Sequence, residues 1–304
     1  MPTGPMPDDT GRIAVVTDSA AALPASWVRD AAARGRFAVV PMPVMVDGDI
    51  FDEGVDDLRD ALRAALEAGS PVRTSRPSPG QFSRIYGELA AKGITGIVSV
   101  HISASLSGTA DTARLAASTA PVPVNVIDSR TVGMAQGYGV QAALAVAEAS
   151  GTMEAAAAAA RQACGACSVY FYVPSLEQLR RGGRVGAAAS WLGTVLSIKP
   201  ILGLRDGTVV PVERVRSTAK AVSRLEELAL AASGSNDAAR WAVHHFDNRQ
   251  PAQELSIRLG LRSGAADGGQ LTTLPAVLAA HTGLGTLGVV VPGPATDTSS
   301  TTEP

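Results

Sequence analysis

The sequence predicts an α/β fold in two parts: an N-terminal domain with a parallel sheet flanked by helices, then an α+β domain with a mixed or antiparallel sheet. Three observations carry this reading. In the first half, apolar runs of four to six residues each lead through a small polar cluster into a helical pattern, the rhythm of parallel strands joined by helices. In the second half, turn dipeptides set hairpins among helices. The chain has 304 residues, 46% hydrophobic and 18% charged. It is long enough for two ordinary domains, and it can bury roughly three quarters of its unfolded surface without disulfides.

Residues 1–11 are Pro- and Asp-rich and predict a disordered tail. The N-terminal domain follows over residues 12–165. Its first strand, Ile13 to Val16, leads into Thr17-Asp18-Ser19 and a helix opened by Pro24. Phe37 to Val40 is a second strand. A small β insertion over residues 43–55 comes next, built on Val44 to Val46, the turn Asp47-Gly48 and Ile50-Phe51. An amphipathic helix is expected from Val55 to Ala68, then the hydroxyl loop Thr74 to Pro79 and a helix from Gly80 to Ala91. Ile97 to Val100 leads into the run His101 to Thr109 and a helix through Arg114. Val124 to Ile127 leads into Asp128-Ser129 and a long small-residue helix reaching Glu148. An alanine-rich helix, Met153 to Ala166, closes this half.

The second domain covers residues 166–292. Val169 to Val173 is an apolar strand, and Ser175 with Gln178 forms a capping-box pattern for a helix from Leu176 to Arg181 that Gly182-Gly183 stops. Ile201 to Leu204 and Val209 to Val212 flank Asp206-Gly207 as a second hairpin. A charged helix from Ser217 to Leu230 follows, its Glu226-Glu227 pair reading as a solvated face. A strand at Trp241 to His245, a helix at Ala252 to Leu259, and strands near Gln270 to Leu274 and Gly288 to Val291 complete the domain. Structural roles are expected for His244 and His245. Residues 293–304 predict a second disordered tail.

Composition excludes several classes of function. Lys+Arg 26 against Asp+Glu 28 gives a net charge of −2, with no field to attract nucleic acid. Met1 to Thr10 have neither a basic start nor an apolar stretch, so a cytoplasmic location is expected. The only cysteines, Cys164 and Cys167, end a helix and read as packing; the four histidines lie far from them, and no metal site is expected. Gly283 to Gly288 spells G-x-G-x-x-G, but no helix and no acidic residue follow at the distance a dinucleotide site requires. No lysine follows a glycine, which excludes a phosphate-binding P-loop. No G-x-S-x-G elbow is present.

What remains is a ring of hydroxyls at strand ends and helix starts: Thr17, Ser19, Ser103, Ser105, Ser107, Thr109, Ser129 and the loop around Thr74. One such hydroxyl is ordinarily a helix cap; several within two loops exceed what capping requires. Ser107-Gly108-Thr109 opens a helix, whose unpaired N–H groups and dipole favour an anion. Neutral donors with few cations fit a carboxylate better than a polyphosphate. Arg180 to Arg184 is a basic turn at a helix end, and Arg184 is available to a phosphate or an acidic partner.

Six segments stand in an order that resembles the DegV family: Thr17-Asp18-Ser19, Thr74-Ser75-Arg76-Pro77-Ser78-Pro79-Gly80, Ile102 to Thr109, Val126 to Ser129, Leu179 to Arg184 and His281-Thr282-Gly283-Leu284-Gly285. The resemblance implies a long-chain fatty acid, such as palmitate or oleate, bound between the two domains. It also implies that the protein is a carrier subunit without turnover of its own, needs no cofactor, and meets membranes only transiently. A separate ATP-dependent fatty acid kinase would phosphorylate the presented carboxylate. The implied carboxylate contacts are Thr74, Ser107 and His281, with Ser105, Thr109 and Thr282 beside them, and Arg184 on the phosphoryl-transfer or kinase face. Arg76 replaces a common glutamine. An aliphatic tunnel would gain ~0.8 kcal/mol per buried CH₂. The alternative is an acyl hydrolase using Ser107 with His281.

Overall fold

The computed structural model describes residues 11–53, 58–191, 198–234, 241–263 and 269–293. The expected tails, apart from Gly11 and Gly293, and the expected helix start at residues 55–57 lie outside these. In chain order the first elements are β1 (Ile13–Asp18), α1 (Ala25–Ala33), β2 (Phe37–Val40), β3 (Pro43–Val46), β4 (Asp49–Asp52), α2 (Arg59–Ala68), β5 (Val72–Thr74), α3 (Pro79–Ala91), β6 (Gly96–His101), α4 (Thr109–Ala117), β7 (Val124–Asp128), α5 (Met134–Glu148) and α6 (Met153–Ala166). They are followed by β8 (Ser168–Tyr172), α7 (Glu177–Arg181), β9 (Lys199–Arg205), β10 (Thr208–Val215), α8 (Thr218–Ser233), β11 (Ala242–Phe246), α9 (Arg249–Ser263), β12 (Gln270–Thr273), α10 (Ala276–Thr282) and β13 (Thr286–Val291).

The first sheet has the order β2-β1-β6-β7 and every pair in it is parallel. β1 and β6 are buried along their whole length, as expected of central strands covered on both faces. The second sheet has the order β10-β9-β8-β13-β11-β12. Only β11 and β12 run parallel in it; the other pairs are antiparallel. This is the predicted α/β architecture with a mixed second sheet. Both predicted hairpins turn on Asp-Gly with positive φ at each residue, 51° and 96° at Asp47-Gly48 and 51° and 79° at Asp206-Gly207, the geometry that matches strand twist.

Small residues explain how α5 lies on α6. A Cβ at Gly139 would stand 2.2 Å from the Cys164 Sγ and 2.9 Å from the Ala160 carbonyl oxygen. Cys164 is therefore a packing residue, and burial pushes its thiol up to about 12.

Three expectations need correction, and one helix stands where no element was expected. The segment expected as a hydroxyl loop begins as a strand: β5 pairs antiparallel with β3, and with β4 makes a three-stranded sheet. The stretch before the glycine-rich turn holds a helix, α10, entered through Pro275 and capped at its C-terminus by Gly283. The capping box forms not at Ser175 but on α3, where Ser78 accepts from the Gln81 N–H and Gln81 reaches back to the Ser78 N–H. At α7 the Ser175 hydroxyl accepts from Glu177 instead, and the Gln178 side chain completes no box. Finally, Glu226 is not solvated. It is buried beneath α9, where Arg258 and Arg262 pair with it at 2.7 and 3.5 Å.

Two ties fix the second sheet against the loops of the first. The tip of the β9–β10 hairpin docks on the loops after β6 and β7, with Ser103 Oγ donating to the Gly207 carbonyl at 2.8 Å and Arg130 pairing with Asp206 at 2.9 Å. His244 on β11 accepts the N–H of Met134, the first residue of α5, at 3.1 Å through Nε2. That assigns the proton to Nδ1, which donates to Thr272 Oγ1. The structural role expected for His244 is this link.

Candidate functional site

Between the β6–α4 loop, the three-stranded sheet, α10 and the second sheet lies a cavity of about 320 Å³. Along most of its length the lining is apolar, with Met42, Ile102, Val132, Leu204, Leu278 and Val290 among it. His244, Tyr170 and Thr286 line the cavity from the second sheet, while most of the polar lining residues, Thr74, Ser75, Arg76, Ser107, Arg184, His281 and Thr282, belong to the segments that meet around one group of contacts. Their clustering follows from a closed circuit of contacts. Thr74 Oγ1 is hydrogen-bonded to His281 Nε2 at 2.8 Å. The imidazole lies directly on Gly182, where a Cβ would stand 2.1 Å from Nδ1. Two residues on, Arg184 donates from Nε to the Leu106 carbonyl at 2.9 Å and from Nη1 to the Gly182 carbonyl at 2.6 Å. Ser107 is next to Leu106, and Arg76, two residues beyond Thr74, lies over Gly108, where a Cβ would meet its Nη1 at 2.5 Å.

Local sequence dictates each placement. α7 ends in a Schellman motif: Gly183 takes φ +71°, its N–H bonds the Arg180 carbonyl at 3.0 Å, and the Arg184 N–H bonds the Leu179 carbonyl at 2.9 Å. Leu-x-x-Gly-Gly-Arg thus turns Arg184 back toward the cavity. Arg180 and Arg181 instead pair with the exposed Glu177 and form an ordinary solvated face. At α4 the N-cap is Gly108, which lines the cavity and offers no side-chain cap to the N–H groups of the first turn. Ser107 is hydrogen-bonded to Thr109 at 2.8 Å, a pair that orients the serine hydroxyl.

Electrostatically this cluster is positive, with the guanidinium groups of Arg76 and Arg184 in it. Burial, followed by the nearby Arg184 charge, lowers the His281 pKa to about 4, which keeps the ring neutral at pH 7. Its Nδ1 is buried and has no hydrogen-bond partner among the described residues. Among the described residues no carboxylate lines the cavity. An anionic head group entering here would meet two guanidinium groups, two hydroxyls and an imidazole, while an apolar tail would run between the two sheets.

The structure brings Thr74, Ser107, His281, Thr282 and Arg184 to one cavity. It leaves Ser105 exposed and off the lining, and sets Thr109 behind Ser107. Arg184 is half-buried and lines the cavity. Other members of the hydroxyl ring are engaged within the fold: Thr17 donates to the Val100 carbonyl and Ser129 to the Thr131 carbonyl. Ser19 accepts from the Met42 N–H. Sequence reasoning missed Thr286 and Tyr170, which also line the cavity; strand positions without a motif carry no signal of this kind. Among the described residues no hydrogen bond links Ser107 to His281, the pair a serine nucleophile and its base would need.

A second hollow of about 660 Å³ lies at the ends of β1 and β2, lined by Asp18, Ser19 and Glu53 among others. Its buried polar groups bond to one another and to backbone rather than converging on open space.

Comparison with known proteins follows the same outline. A DegV domain-containing protein of Streptomyces coelicolor is 43% identical over 279 residues, 92% of this chain and 98% of its own length. A DegV family protein from Thermus thermophilus, solved for its fatty acid binding, superposes with a TM-score of 0.84 at 32% identity, covering 93% of this chain and all of its own. DegV from Bacillus subtilis, a fatty acid binding protein, gives 0.81 at 26% identity, with 93% and 100% covered. The profile of the DegV family, described as uncharacterised proteins, matches residues 12–292, the span that holds both sheets and the cavity, and the chain belongs to the DegV family.

Proposed function

We propose that this protein binds a long-chain fatty acid such as palmitate or oleate between two units, residues 12–165 and 166–292, and presents its carboxylate to a separate ATP-dependent kinase that makes an acyl phosphate. The observation that carries the reading is the polarity of the cavity: a mostly apolar lining, with Thr74, Ser107, His281, Arg184 and Arg76 brought together in one cluster. A fatty acid has the same two-part chemistry. Its tail gains ~0.8 kcal/mol per buried CH₂, and its carboxylate gains charge-assisted hydrogen bonds. The fatty acid binding of the Thermus thermophilus and Bacillus subtilis relatives supports the ligand class. Separate partners for Ser107 and His281 favour binding over hydrolysis.

Mass spectrometry of the organic extract of protein purified from a bacterial host tests the ligand. One fatty acid per chain is expected; clean protein that takes up no C16 or C18 acid overturns the reading. For presentation, Arg184→Ala is assayed for palmitate affinity and for acyl-phosphate formation with a cognate kinase and ATP. Because Arg184 lines the cavity, affinity is expected to fall. Transfer at saturating ligand falls further if the guanidinium also meets the phosphoryl group, and a kinase that leaves bound palmitate unmodified refutes presentation.

A further inference from the structure

Both ends of α10 are held by the same three-stranded sheet. At the C-terminal end, His281 bonds Thr74 of β5. At the N-terminal end, the Glu53 carboxylate, one residue past β4, accepts the N–H groups of Ala276 and Val277, the second at 3.3 Å. These attachments sit at one end of the sheet, since Pro43 of β3 pairs with Asp52 and its neighbour Val44 with Thr74. The helix between them has seven residues and spans roughly 10 Å. Too short to be stable alone, it depends on its ends and its packing for its position. Pro275 supplies no side-chain cap, so Glu53 provides it from across the chain.

We propose that Glu53 is a positioning residue for His281: by capping α10 from the β4 end, it holds the helix at the height where the imidazole meets Thr74 and lies on Gly182. Glu53 does not line the fatty acid cavity and touches no ligand atom there. It acts through the helix, and the inference rests on His281 being a carboxylate contact. Glu53 is deeply buried, and desolvation raises its pKa to about 7, against the lowering effects of the two backbone bonds and of Ser19. Glutamine keeps one acceptor oxygen for the Ala276 N–H but turns an NH₂ group toward the Val277 N–H, so it retains the closer of the two capping bonds.

The test compares Glu53→Ala, Glu53→Asp and Glu53→Gln with the wild type, and repeats Glu53→Ala in a His281→Ala background. Palmitate affinity is measured on delipidated protein, and the His281 Cε1–H resonance is titrated in the ligand-free proteins. Alanine and the shorter aspartate are expected to weaken palmitate by about tenfold, the scale of a lost helix cap. Glutamine stays within about threefold. In the alanine variant the His281 midpoint climbs from about 4 toward 6.5 as the ring leaves its site. With His281 already removed, loss of Glu53 changes affinity clearly less than in the wild-type background, the remainder coming from Leu278 and Thr282 on the same helix.

An equal loss in both backgrounds makes Glu53 a general stability residue and overturns the inference. So does an alanine variant with native affinity and an unmoved His281 midpoint. If alanine fails to fold, the aspartate and glutamine pair decides by the same readouts. Wild-type protein that binds no palmitate removes the fatty acid reading, while the His281 titration still judges the link between Glu53 and the helix.

Discussion

Thr74 and Ser107 are the two hydroxyls at the polar end whose other bonds are to neighbouring side chains of the same cluster. Each can turn toward a carboxylate without leaving a backbone group unpaired. Thr74→Val and Ser107→Ala are each expected to weaken palmitate by roughly 10- to 150-fold, the worth of a hydrogen bond to a charged group, ~1.5 to 3 kcal/mol. The double variant loses less than the sum, because both contact one head group; isothermal titration of the three proteins measures this. Gly182 has an ordinary φ of −76°, so alanine there is tolerated by the backbone, yet its Cβ falls on the His281 ring. Gly182→Ala is therefore expected to lose about tenfold in affinity with an unchanged far-UV circular dichroism spectrum. Nothing in the sequence separates this steric need from the helix-stopping role of a glycine pair. In contrast, the prediction of several hydroxyls near one anion rested on their number, and the structure divides them: Thr74 and Ser107 line the cavity, while Thr17, Ser103 and Ser129 donate to backbone carbonyls within the fold.

Among the elements, legibility followed length and periodicity. β1, β6 and the hairpins on Asp-Gly were readable because continuous apolar runs and obligatory turn chemistry have few alternatives. β5, three residues, and α10, seven residues, are too short to impose a period; their existence depends on β3 and on Glu53, partners far away in sequence. The α7 terminus was partly readable: two glycines signalled the stop, and the backbone bonds that turn Arg184 into the cavity required the structure. Gly183 at φ +71° is the left-handed position of that motif. Gly183→Ala is expected to lower the unfolding free energy by about 1 kcal/mol, measured in urea. It also reduces palmitate affinity, because the turn that aims Arg184 is the part that loosens.

For the molecule as a whole, the buried titratable groups set a pH dependence whose sign can be summed. His244 and His281 are pushed down from 6.5 to about 4, both chiefly by burial, and His245 is also lowered. In that window the unfolded chain binds protons the native chain refuses, so this stability is present above pH 6.5 and is lost as pH falls toward 4. Glu53, raised from 4.5 to about 7, works in the opposite direction: the native chain keeps a proton the unfolded chain has released, and stability falls as pH rises through 7. Two or more histidines outweigh one carboxyl, so the urea midpoint should rise from pH 4.5 to 6.5. Glu53→Gln, which removes the opposing group, should steepen the rise; a midpoint that falls over this range contradicts the assignment. The central claim, one fatty acid with its head group in the Thr74, His281 and Ser107 cluster, is tested most directly by ¹³C NMR of carboxyl-labelled palmitate added to delipidated protein. The account predicts a single bound carboxyl resonance at one equivalent, held in the ionised form below the ordinary carboxylate range by Arg184 and Arg76 and displaced in Thr74→Val. A labelled carboxyl that shows no bound resonance, or one that Thr74→Val leaves unmoved, would contradict it.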